Sequence, residues 1–133
     1  MATADSIEQV IYQYLDADST FKAKFKGIYW QDAPKETKQP FINFWMVDDN
    51  GSETLLNAIS QGEARIQFDL WDSNKIRGVK LRTALRNKIR DLNEVRSGFH
   101  VMTNGITEQT LQRQSTTEPF HFIVDGIIKW NKE

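Results

Sequence analysis

The stretch EARIQFDLWD, residues 63–72, alternates without a break: Ala64, Ile66, Phe68 and Leu70 fall on one side, Arg65, Gln67, Asp69 and Trp71 on the other. A period of two over this length marks a strand with one face in a core. Directly after it the pattern switches to the helical period, with Leu81, Ala84, Leu85, Ile89 and Leu92 on one stripe. So short a junction, with Asp72 or Ser73 as the expected N-cap, leaves a strand and a helix that must bury their apolar sides together. Trp71 is the one apolar residue on the polar side of the strand.

The remaining segments supply partners for this unit. After Asp5 and Ser6, the residues Ile7, Val10, Ile11, Tyr14 and Leu15 recur on one face of a helix. Phe21 and Phe25 mark a short second helical turn behind Ser19 or Thr20, ending at Gly27. GIYW is a brief strand, and QDAPKETKQP is a polar connection. FINFWMV, residues 41–47, is apolar at six of seven positions, the pattern of a strand covered on both faces. DDNGS then reads as a turn, and the segment 48–62, lacking either period, as a long loop or hairpin arm.

Beyond the basic helix, FHVMT leads to Asn104-Gly105, a two-residue hairpin signal, and then to a polar, solvent-facing strand. In PFHFIVDGIIKW, Phe120, Phe122, Val124, Gly126, Ile128 and Trp130 alternate against His121, Ile123, Asp125, Ile127 and Lys129. The expected order is α, β, β, β, α, β, β, β within one domain spanning residues 1–133. This is an α+β fold with two main α-helices packed on a mixed, mainly antiparallel β-sheet.

Chemistry leaves few marks. The seven glycines are scattered, so no phosphate-binding loop exists, and there is no cysteine to serve as a nucleophile or zinc ligand. A calcium loop centred on Gly51 would need carboxylates where Met46 and Asn57 stand. His100 and His121 sit among apolar strand residues outside any metal-ligand spacing, and read as strand-surface histidines. Asp48 and Asp49 are adjacent, point apart and are explained as turn residues. With no nucleophile, base and orienter in sight, the chain does not read as an enzyme, and it calls for no metal or cofactor. The N-terminal stretch carries no export signal, and no apolar run is long enough to span a membrane, so a soluble protein is expected. Asn50-Gly51-Ser52 is accordingly read as part of a turn rather than a glycan acceptor.

One charge feature stands out. Seven lysines and arginines, from Lys75 through Arg77 to Arg90, occur with no acid among them in a chain of net charge -1. Arg82, Arg86 and Arg90 form a row beside the apolar stripe, and Lys88 lies within it and must snorkel. A solvated helix face, a contact with an acidic protein surface and a small nucleic-acid-binding module built on helix 75–90 are the three readings. The last would normally demand a basic domain overall.

The order of segments resembles one family, the tail terminator (tail completion) proteins of long-tailed bacteriophages. The residues that carry it are the opening amphipathic helix, GIYWQDAP, QPFINFWMV, GEARIQFDLWDS running into KLRTALRNKIRDL, and the closing FHFIVDGIIKW. This resemblance spans nearly the whole chain. It implies a virion structural protein, assembled in the host cytoplasm and placed at the head-proximal end of the tail. Such a protein forms a homo-oligomeric ring, usually a hexamer, that caps the tail tube, stops its polymerisation and docks to the head-tail connector. DNA passes through the ring without specific binding. On this reading Trp71, Lys75, Arg77, Arg82, Arg86 and Arg90, with Asp48, Asp49 and Asn50 of the loop, form the protein interface.

Overall fold

The computed structural model describes residues 6–53 and 59–132. Helix α1 (Ile7–Ala17) is capped by Ser6, whose hydroxyl accepts from the Gln9 amide, and it buries Ile7, Val10, Ile11, Tyr14 and Leu15. The four-residue α2 (Ser19–Lys22) follows, capped by Asp18 rather than by Ser19 or Thr20. Six strands come next: β1 (Gly27–Trp30), β2 (Phe41–Glu53), β3 (Ile59–Asp72) and, after helix α3 (Lys75–Arg90), β4 (Asn93–Arg96), β5 (Phe99–Leu111) and β6 (Phe120–Lys132). They form one mixed sheet in the order β1-β2-β3-β6-β5-β4. Among the described residues β1 and β2 alone run parallel; every other pair is antiparallel.

Both long helices lie on the same face of this sheet. Ile42 and Phe44 of β2, the predicted alternation Ala64–Leu70 of β3, Val101 of β5 and Phe122, Val124 and Ile128 of β6 are fully covered there. Apart from the small Ala64, each such side chain contributes roughly 1.5–3 kcal/mol by leaving water. The helix approaches closely at Gly78, where a Cβ would lie 2.4 Å from the Phe122 ring. The Tyr14 hydroxyl donates to the Lys88 carbonyl at 2.7 Å, tying α1 to α3. Burial pushes that phenol up to about 12, with the acidic Glu94, Asp91 and Asp18 adding to the shift.

Four local expectations are corrected. FINFWMV is covered on one face only: Phe41, Asn43 and Trp45 point to the helix-free side and stay half-exposed, with Phe41 stacked on Trp71. DDNGS is not a turn, because Asp48–Glu53 continue β2 and pair with β3, with a bulge at Val47; the hairpin-arm reading holds, and its tip at 54–58 lies outside the described residues. Asn104-Gly105 is not a hairpin but a bulge inside β5. The chain reverses instead at Ser97-Gly98, whose φ values of 53° and 86° give the left-handed geometry a tight hairpin needs. Finally, α3 is capped by Asn74, which accepts from the Arg77 amide, while Asp72 accepts from the Asn74 amide.

Candidate assembly surface

The helix-free face carries a belt of polar and aromatic contacts. Trp71 stacks on His121 with ring centroids 3.8 Å apart, and on Phe41 at 6.4 Å. Its indole N–H donates to Asn43 Oδ1 at 2.9 Å, and Asn43 in turn donates to the Gln31 carbonyl. Beside it, Asp69 is 1% exposed despite lying on the open side. Gln67 Nε2 donates to its carboxylate, and His121 Nε2 lies 2.5 Å from Oδ1, so two neighbours satisfy the buried acid. His121 is therefore not the plain surface histidine its sequence neighbours suggest. A hollow of about 380 Å³ opens next to the pair, lined by Leu111, Arg113, Glu118 and Pro119 among others, with no hydroxyl or thiol on its wall. Among the described residues no three His, Asp or Glu side chains gather into a metal site, and no helix is long and apolar enough to cross a membrane.

The basic helix is largely answered within the chain. Arg77 holds the buried Asp72 through two guanidinium nitrogens, at 2.8 and 2.6 Å, and that carboxylate keeps the guanidinium pKa raised. Arg82 and Arg86 converge on a single acid, Glu108 of β5, at 3.3 and 3.1 Å; both contacts involve Nε without hydrogen-bond geometry, so the attraction is ionic. Arg82 also covers the Phe122 ring. Lys88 snorkels as its position requires, crossing the Tyr14 ring to reach Asp18 at 3.0 Å. Arg90 pairs with the adjacent Asp91. Lys75 is exposed and makes no ion pair among the described residues.

These contacts sort the predicted interface residues into groups. Lys75, Arg82, Arg86 and Arg90 do lie along one side of α3, the side overhanging β5. Arg77 sits on the other side of the helix and serves its N-terminal junction. Trp71 is on the opposite face of the sheet. Asp48 and Asp49 point to opposite faces of β2 as strand neighbours must, and Asp49 accepts from the Trp130 indole at 3.2 Å on the helix side. Asn50 belongs to the same strand.

Two features were not anticipated. Glu108 is a lone acid in a polar strand, and only the pairing of β5 with β6 brings it under α3. On α1, Glu8, Tyr12 and Asp16 are spaced four apart on the side away from α3. Glu8 accepts from the Trp30 indole of β1 at 2.6 Å, and Asp16 pairs with Lys22 at 2.8 Å. The helical period that marked the buried face of α1 also specifies this row.

No family model and no curated protein sequence matches the chain. Solved structures do. A chain of the virion of a native gene transfer agent (GTA) particle superposes with a TM-score of 0.62 at 11% identity, covering 99% of this chain and 98% of that one. A second solved chain gives a TM-score of 0.61 at 12% identity, over 98% and 97% of the two chains. At such low identity the likeness is one of fold, and it runs through the entire α+β arrangement from end to end.

Proposed function

We propose that this protein is a structural component of a phage-type virion and, more narrowly, a tail terminator. Copies form a ring, expected to be a hexamer, that caps the tail tube, ends its polymerisation and presents a docking surface to the head-tail connector. It works at the head-proximal end of the tail after assembly in the host cytoplasm, without turnover or a cofactor, and DNA passes through the ring unread. The observation that carries the reading is the end-to-end likeness to a chain of a gene transfer agent virion, which coincides with the sequence resemblance to tail terminators. Trp71 and the α3 side bearing Lys75, Arg82, Arg86 and Arg90 are proposed interface elements, as are Asp48, Asp49 and Asn50 on the hairpin arm.

The nucleic-acid reading loses support from the ion pairs. A duplex-binding helix needs free cations to displace counterions from phosphates. Here Arg77, Lys88 and Arg90 each face a carboxylate, and Arg82 and Arg86 share that of Glu108. The deciding experiment adds purified protein to tail tubes that are still elongating, with light scattering and negative-stain microscopy of the protein alone. Rings and tubes of fixed length are expected. A protein that is monomeric at every concentration and leaves elongation untouched would sink the reading.

A further inference from the structure

We propose that successive copies join head to tail through a stepped joint, in which β1 and the acidic side of α1 of one copy meet the bare edge of β5 and the basic side of α3 of the next. This inference rests on the ring reading above and adds how the ring closes.

The two margins of the sheet are complementary in outline. Among the described residues, β1 covers β2 on one margin only from Phe41 to Phe44, and the outer edge of β2 is bare further along the strand. On the other, β4 covers β5 only from Phe99 to Met102, and no described residue pairs with the outer edge at Gly105–Leu111. Cross-strand registers fix where these steps lie. Phe41, Trp71, His121 and Leu111 share one row, so β1 projects at the end of the sheet where β5 is uncovered. Asn50, Glu63, Lys129 and Met102 share another, so β4 projects where β2 is uncovered. A second copy set beside the first places each projection in the other's notch.

Strand polarity agrees. Because β2, β3, β6 and β5 alternate in direction and β1 is parallel to β2, a neighbouring β1 meets β5 antiparallel. The bare segment GITEQTL holds neither proline nor lysine, the residues that usually protect an exposed edge from pairing. Seven residues of strand edge with open backbone groups therefore face a four-residue strand that, among the described residues, pairs only with β2.

Charge agrees as well. Two guanidiniums, Arg82 and Arg86, share the one carboxylate of Glu108, so the side of α3 above the bare edge keeps a positive excess, to which exposed Lys75 adds. Above β1, Glu8 accepts from the Trp30 indole and, among the described residues, faces no cation, while Asp16 shares its charge with Lys22, beside a Tyr12 that is 37% exposed. The Glu8 carboxylate on one margin and the basic excess on the opposite one suit a heterologous contact, which repeats until it closes, and not a two-fold one that would set the two basic sides together.

The test uses two charge reversals and one exchange measurement. Glu8→Lys with Asp16→Lys reverses one margin; Lys75→Glu with Arg90→Glu reverses the other and leaves the Glu108 cluster untouched. Each double variant alone should raise the concentration for ring assembly at least about tenfold, and an equimolar mixture should restore assembly, since joints then alternate with matched charge. Amides of Gly105–Leu111 should exchange more slowly in the ring than in the free subunit. Rings from the wild type together with normal assembly of both reversed variants, or unchanged exchange across Gly105–Leu111, would overturn the joint while leaving the ring in place. A wild type that neither closes nor caps tubes overturns the ring reading, and the joint with it.

Discussion

The two faces of the sheet use their aromatic residues in opposite ways. On the helix face Phe44, Phe68 and Phe122 are fully sealed by α1 and α3, and Phe44 and Phe68 tilt together at 5.5 Å. On the open face Phe41, Trp71 and His121 stack in a row across three strands and keep part of each ring in water, while polar groups around them answer one another. The first arrangement draws its stability from removing apolar area from water. The second draws on stacking and hydrogen bonds, which give less net stability but leave a patterned surface available for contact. The core thus holds the fold without help, while the open face keeps a surface that a partner could cover.

The sharpest way to break this comparison is Phe68→Ala. Its cavity would lie under both helices, and unfolding in denaturant should show a loss of about 3–5 kcal/mol. Trp71→Ala removes a larger side chain but should cost only about 1–2 kcal/mol, because part of its area is already exposed and no sealed cavity is left. Equal losses from the two substitutions would erase the distinction between the faces. The smallest effect belongs to Asp18, outside both faces at the junction of α1 and α2. The amide of Phe21 and then Lys88 hold its carboxyl below the ordinary value of 3.8. A depressed folded pKa contributes stability that is fully present above 3.8 and is lost as pH falls through the folded value. Asp18→Asn should therefore flatten the acid limb of a stability–pH profile while leaving the protein folded at neutral pH; an unchanged acid limb would show that the charge does not matter there.

The basic helix also reads differently along the chain and in the fold. Read along the chain, seven cations without an acid look like an unsatisfied surface. In three dimensions the acids arrive from elsewhere: Asp18 from the α1–α2 junction, Asp72 from the end of β3 and Glu108 from β5. Charge runs in a sequence report local density only, and ion pairing between distant segments is decided by the sheet order that brings them together.

What the sequence determined by itself was everything that rests on period. The alternation of Ala64, Ile66, Phe68 and Leu70, that of Phe122, Val124 and Ile128, and the stripes of α1 and α3 all turned inward as read, because side-chain direction follows backbone geometry once the element forms. The α+β class and the order of main elements followed from the same patterns. Turn chemistry was the weaker guide. Asn104-Gly105 and Asp49-Asn50-Gly51 carry strong local reversal signals, yet both stretches lie extended, since long neighbouring strands offer a continuous ladder of hydrogen bonds that outweighs a local preference. Only the tertiary structure decided that both helices would share one face, that Asp69 would be buried beside His121, and that Glu108 would sit beneath Arg82 and Arg86. Each of these depends on which strands become neighbours, and strand order is set by the packing of the whole chain rather than by any segment of it.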